Sequence, residues 1–166
     1  METKVRRQDI LHKKQDFANI RELVEWSAVT YPDRMGYSFR VRPLDKDAVR
    51  KSYIDMRDDV RGLATELHSR GFRGKHIAVI GKNSYEWILS YFSILSTGSV
   101  IVPLDRDWLA PDLADTVFKA ECEVLICDED IKDKADAICD KCGIKDVFYL
   151  SREGEGSIGE LVAAGK

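Results

Sequence analysis

Four short apolar runs constrain this chain more than any other feature: "HIAVI" at 76–80, "VIVPL" at 100–104, "EVLIC" at 123–127 and "DVFYL" at 146–150. Each is strand-length and rich in β-branched residues, with little polar–apolar alternation. Strands covered by helices on both faces have this pattern. The segments between them carry a helical period. Strands alternating with helices form βαβ units with right-handed crossovers. The expected fold is therefore α/β, a three-layer sandwich around a mostly parallel sheet, preceded by one helix and a short hairpin.

The helices have readable ends. Ser52 with Asp55 forms a loose capping box for a helix whose buried face is Tyr53, Met56, Val60, Leu63, Ala64 and Leu67. Gly71 suits the left-handed position after it. A helix over 85–97 ends at Gly98, one over 111–120 begins at Pro111, and one over 131–142 ends at Gly143. In the second of these four, Trp87, Ile88, Tyr91, Phe92, Ile94 and Leu95 cover more than one stripe, which predicts a mostly enclosed helix. A last short helix over 158–164 has Ser157 and Glu160 as its capping box. Near the start, Asn19 caps a helix from Ile20 that stops at Tyr31-Pro32. The runs "MGYSFRV" and "AVRKSY" then read as a hairpin about a turn containing Pro43 and Asp45. Residues 1–16 read as a polar tail, and 17–166 as one α/β subdomain.

Composition narrows the function classes. The net charge of −3, without a clustered basic face, gives no electrostatic case for nucleic acid. No apolar stretch reaches the roughly 20 residues that span a bilayer, so no transmembrane segment is expected. The start lacks the apolar region of a secretory signal, and a cytoplasmic location is the expectation. The four cysteines, Cys122, Cys127, Cys139 and Cys142, read as buried or partly buried free thiols. The C-x-x-C falls at a helix C-terminus, where the dipole works against a thiolate. No metal site is expected.

Gly81-Lys82-Asn83-Ser84, between a strand and a helix, suggests a phosphate-gripping loop. A P-loop needs a glycine five places before Gly81, to let backbone N–H groups curl round the phosphates, but His76 stands there inside the strand. Asn83 occupies the position where Ser or Thr would meet magnesium. The plainer reading ends the strand at Gly81, leaves Lys82 solvated, and caps the next helix with Asn83 or Ser84. His12, His68 and His76 each have a structural explanation, and none is expected to be catalytic.

The ordered set of segments nevertheless resembles the N-terminal region of AMP-forming acyl-CoA synthetases, the adenylate-forming ligases. Ser52-Tyr53 precedes the first long helix, and Gly71 and Gly74 flank the turn into "HIAVIG". Asn83-Ser84-Tyr85-Glu86-Trp87 resembles the family's Asn-Ser-x-Glu-Trp. Gly98 to Asp105, "GSVIVPLD", resembles its Gly-Ala-Val-x-Val-Pro-Leu segment, and "SIGELVAAGK" resembles the stretch before its phosphate loop. The Asn-Ser-x-Glu-Trp form leans toward the long-chain fatty-acid branch. The likeness implies a whole protein that uses ATP, Mg and coenzyme A on a carboxylate. The family's Ser/Thr/Gly-rich loop and catalytic lysine are not among these residues. The chain by itself is therefore expected to be inactive, to bind no cofactor, and to have as its partner the remainder of its own polypeptide. Its bare surfaces suggest a homo-oligomer. An independent α/β interaction module and a peptide-synthetase adenylation domain are the alternatives.

Ligands of open α/β sheets gather at the C-terminal ends of strands. Those ends include Gly81, Asn83, Leu104 and Asp105, and Asn83 and Asp105 are the candidates for the wall of a substrate site.

Overall fold

In the computed structural model, residues 15–41 and 44–166 are described. The polar tail up to residue 14, His12 within it, and Pro43 of the expected hairpin turn lie outside the described residues. The elements, in order, are α1 (Ile20–Thr30), β1 (Met35–Phe39), β2 (Val49–Ser52), α2 (Tyr53–Ser69), β3 (His76–Ile80), α3 (Tyr85–Ser96), β4 (Val100–Leu104), α4 (Ala110–Lys119), β5 (Val124–Cys127), α5 (Lys132–Cys142), β6 (Asp146–Tyr149) and α6 (Ile158–Ala164). A 3-10 turn, Glu129–Ile131, leads into α5. β1 and β2 form the expected antiparallel hairpin.

The main sheet is parallel, with order β4-β3-β5-β6. β3 runs first to β4 on one side, and the chain then crosses β3 to reach β5 on the other. The reversal is accompanied by a change of face, as right-handed crossovers require. Ile77, Val79, Val124 and Ile126 point into one core with Leu63, Leu67, Leu89, Ile158 and Leu161 from α2, α3 and α6. Ala78, Ile80, Leu125 and Cys127 point into a second core with Leu113, Val117, Ala135 and Ile138 from α4 and α5. The unbroken apolar runs of β3 and β5 exist because both their faces are covered. β4, at the edge, is only half-buried and leaves Val100 46% exposed.

Several local expectations change. α3 is not enclosed. Its buried stripe is Tyr85, Glu86, Leu89, Ser90, Ser93 and Ile94, while Trp87, Ile88, Tyr91, Phe92 and Leu95 are half-buried. Trp87 stacks on Tyr91 at 5.8 Å, so the second apolar stripe is partly shielded by its own rings. The cap of α3 is Ser84, whose hydroxyl accepts from the Trp87 N–H at 3.0 Å, and not Asn83. Pro111 is the second residue of α4. At α6, Ser157 caps Glu160, but the Glu160 carboxylate reaches back to Gly156 N–H, one residue before the position a capping box uses.

Candidate functional site

β3, β4 and β5 all end on one side of the sheet, and the reversal of strand order falls between β3 and β5. Crevices at such points are the usual ligand sites of open α/β sheets. Here the crevice is closed. Gly81 lies so deep that a Cβ on it would stand 2.3 Å from Leu150 Cδ1 and 2.8 Å from Asp128 Oδ1. Asp128 accepts the backbone N–H of Lys82 at 2.8 Å and is gripped by the Arg106 guanidinium. Arg106 also reaches Asp130 at 3.1 Å, and Lys82 Nζ donates to Asp130 at 2.6 Å. Lys82 is thus ion-paired and not merely solvated. Lys82 and Arg106 together hold the Asp130 carboxyl down at about 2. The bond to Asp130 raises Arg106 above its ordinary value.

The sequence candidates sit on the rim of this network. Asn83 is exposed, and no hydrogen bond engages its side chain among the described residues. Asp105 is exposed, and its Oδ1 accepts the Asp107 N–H at 2.9 Å in a local turn. Lys134 Nζ braces the same loop through the Arg106 and Trp108 carbonyls at 2.6 and 2.8 Å. The structure places Asn83 and Asp105 on the same side of the sheet, and no hydrogen bond joins their side chains. The residues that do meet here are Lys82, Arg106, Asp128 and Asp130. They alternate in sign and neutralise one another. With its glycine space filled and two carboxylates at its centre, the crevice does not fit the phosphates of ATP.

A second cluster escaped the sequence reading. Asp59 is 5% exposed and accepts from Tyr85 Oη at 2.7 Å, Lys51 Nζ at 2.8 Å and Lys166 Nζ at 2.6 Å. Burial works to raise its carboxyl, but the bonds from Lys166, Lys51 and Tyr85 outweigh it and leave the group below its ordinary range. Burial, then the bond to Asp59, pushes the Tyr85 phenol well up. One residue on, Glu86 accepts from Arg152 Nε at 2.7 Å, and the Arg152 guanidinium lies 4.2 Å over the Phe39 ring. Lys51, Asp59, Tyr85, Glu86, Arg152 and Phe39 line a cleft of about 340 Å³ between the hairpin, α2, α3 and α6. Every charge in it has a partner, so it pins four elements together. The only signal for it was Asp59 falling on the otherwise apolar face of α2.

His76 Nδ1 lies 2.6 Å from the Ala120 carbonyl and ties β3 to the end of α4, a structural role. His68 is exposed near the end of α2. Cys122 and Cys127 are buried, and Cys139 and Cys142 are half-buried, all as free thiols. Burial pushes Cys122 up to about 11 and Cys127 up to about 12. Among the described residues, no group of three or more His, Cys, Asp or Glu side chains is arranged to hold a metal ion. No helix among them is long and apolar enough to cross a membrane.

Residues 24–163 match the AMP-binding enzyme family. The chain belongs to that family. It is 25% identical over 124 residues to the medium-chain acyl-CoA ligase ACSF2, mitochondrial, of Danio rerio, covering 74% of this chain and 19% of that protein. It is 29% identical over 79 residues to a CoA ligase of Rhodococcus jostii, named for a methyl-dioxo-octahydroindenyl propanoate, covering 47% of this chain and 15% of that one. The chain therefore spans about a fifth or less of these relatives' length. In fold it superposes on a long-chain-fatty-acid-CoA ligase from Archaeoglobus fulgidus with a TM-score of 0.81 at 15% identity, over 93% of this chain and 31% of that one. The N-terminal domain of FACL13 from Mycobacterium tuberculosis gives a TM-score of 0.73 at 22% identity, over 89% and 36%. The α/β architecture inferred from the four apolar runs is that of these proteins.

Proposed function

We propose that this chain is the opening α/β subdomain of an AMP-forming acyl-CoA synthetase, and that it serves as scaffold without catalysing the reaction itself. The family match over 24–163 supports this most directly, because that stretch contains the whole doubly wound sheet. In the whole protein a carboxylate and ATP would give an acyl-adenylate and pyrophosphate, and the coenzyme A thiol would then displace AMP to form the thioester. The first step brings an anion against a polyanion and needs cations and N–H groups to hold developing charge. The network at the strand ends has already spent its cations on Asp128 and Asp130, so no step is assigned to it. A long-chain fatty acid as the carboxylate and a cytoplasmic setting complete the reading.

Within such an enzyme, Asn83 and Asp105 would form part of the substrate-site wall, on the loops that leave β3 and β4. The test assays this chain, and a longer polypeptide that contains it, for acid-dependent pyrophosphate release and for thioester formation across a panel of acids. The longer protein is expected to be active, with long-chain acids preferred, and the isolated chain inactive. Thioester synthesis by the isolated chain would overturn the scaffold role. Activity with amino acids alone would instead place the chain in an adenylation domain.

A further inference from the structure

The opposite end of the molecule holds a cationic groove that the proposed ligase chemistry does not use. It has a volume of about 450 Å³ and lies between α1, the C-terminal half of α2 and the end of α3. Among the described residues that line it, the basic side chains are Arg21, Arg61, Arg73 and His68, and the only carboxylate is Glu25. Arg61 is committed to that carboxylate through paired bonds of 2.7 and 2.6 Å. Arg21, Arg73 and His68 carry no hydrogen bond or ion pair among the described residues. In a chain whose net charge is −3, the described lining residues, three arginines against one glutamate, sum to +2 with histidine neutral.

Basic residues often collect near helix C-termini to satisfy exposed carbonyls. That explanation fails here because both helix ends are already closed. At the end of α2, Gly71 N–H donates to the His68 carbonyl and Phe72 N–H to the Leu67 carbonyl, both at 3.0 Å. At the end of α3, Gly98 N–H donates to Leu95 and Ser99 N–H to Ile94, at 3.2 and 3.3 Å, and Thr97 Oγ1 adds a bond to Ile94 at 2.7 Å. The glycines, at φ of 82° and 76°, make these closures possible. Arg21 and Arg73 are left with donors and no acceptors among the described residues.

A second observation points the same way. Ser96 lines the groove, and its hydroxyl is buried without a hydrogen-bond partner among the described residues. Serines within helices ordinarily bond back to the carbonyl four residues earlier. Val24, Val60 and Ala64 supply apolar lining beside these polar groups.

We infer that this groove is a binding site for a small organic phosphate, with Arg21 and Arg73 on the phosphate, Ser96 donating to it, and the ligand's non-polar part against Val24, Val60 and Ala64. Guanidinium forks match phosphate oxygens in pairs. A dianion balances the local +2, where a carboxylate leaves one charge over. The inference is independent of the ligase reading, and either can fail without the other.

The test titrates the intact chain with phenyl phosphate, inorganic phosphate and benzoate, following backbone amide NMR shifts and calorimetry. Phosphatidylcholine vesicles with and without phosphatidic acid form a separate arm. Phenyl phosphate is expected to shift the amides around Arg73 and Ser96 and to bind tighter than inorganic phosphate or benzoate. Arg21→Ala and Arg73→Ala are each expected to weaken it about tenfold, as loss of a charge-assisted bond does. Arg73→Lys should recover part of the loss while the melting temperature holds. Ser96→Ala should weaken binding without lowering stability, since its hydroxyl bonds to none of the described residues. Benzoate binding as tightly as phenyl phosphate, binding unchanged in the double arginine variant, or association with phosphatidic acid vesicles alone would each overturn the inference.

Discussion

The hydroxyl of Tyr85 donates to the buried carboxylate of Asp59 across 2.7 Å, linking residues 26 positions apart on α2 and α3. The same carboxylate takes the ammonium groups of Lys51 and Lys166. Tyr85→Phe leaves the charge buried with one donor fewer, which costs about 1–2 kcal/mol at neutral pH. Because the folded carboxyl is depressed, its stabilisation is present above the unfolded value near pH 4 and disappears as pH falls through the lower folded value. Urea unfolding of wild type and Asp59→Asn between pH 2 and pH 7 checks this. The two curves should converge at the acid end and separate above pH 4.

Two close approaches rank the glycines. A Cβ on Gly81 would meet the terminal methyl of Leu150 at 2.3 Å, an atom that can move, and Asp128, which is less free to. A Cβ on Gly159 would meet the Arg152 carbonyl at 1.8 Å, and backbone there cannot yield without shifting the loop before α6. Alanine gains about 1 kcal/mol over glycine in a helix interior, and overpacking costs about 1–3 kcal/mol or more. Gly159→Ala is therefore expected to destabilise in spite of its helical position, and by more than Gly81→Ala. Paired denaturation midpoints decide the order.

The thiols should react in order of exposure. Cys122 and Cys127 are buried and pushed up to about 11 and about 12, so their thiolate fraction at pH 7 is very small. Cys139 and Cys142 are half-buried and raised less. Brief iodoacetamide treatment at pH 7.5, read by peptide mass spectrometry, is expected to label Cys139 and Cys142 and to spare Cys122 and Cys127 until the protein is unfolded. Early labelling of Cys127 would contradict its place in the core.

The elements were legible because their signals are local. Ser52, Ser84, Ser157 and Gly143 mark helix ends by their own backbone needs, and the β3 and β5 runs report burial on both faces. What is set by distant contacts was not legible. Strand order depends on which way each crossover packs. The glycine of the false phosphate loop turns out to make room for Leu150 and Asp128, which lie far along the chain. Asp59 gave one hint, a carboxylate on an apolar helical face, but nothing local named Tyr85 or Lys166 as its partners. Tyr85 and Glu86 entered the resemblance as motif letters, and their work is to anchor Asp59 and Arg152.

At the rim of the sheet, charge can be separated from shape. The Asp105 Oδ1 accepts the Asp107 N–H, and an asparagine oxygen can accept it equally well. Asp105→Asn thus removes charge while keeping the turn. In the longer enzyme, Asp105→Asn and Asn83→Ala are each expected to lower kcat/KM several-fold with a melting temperature within about 2 °C of wild type, as exposed substitutions allow. Unchanged kinetics in both variants would remove these residues from the site wall.

The open edge of the sheet carries its own safeguard. Val100 N–H donates to the Lys75 carbonyl at 2.9 Å, which sets the alternation along β4. In a parallel ladder every second residue faces the same neighbour. Val102 and Leu104 therefore turn their N–H groups toward β3, and Ile101 and Pro103 face outward. Proline has no N–H, so it loses no ladder bond in its register with Val79 and removes one of the two donors an incoming strand would use. Prolines are placed this way on edge strands, where they discourage pairing with other chains. The half-buried rings of Trp87 and Tyr91 still offer apolar surface nearby, so weak self-association of the chain is expected. Pro103→Thr restores the missing donor and adds a β-branched side chain, and should shift the chain toward dimers at a given concentration. Sedimentation velocity over a concentration series measures this. An unchanged distribution would mean that the edge is protected by something other than Pro103, leaving the aromatic stripe of α3 as the surface that governs association.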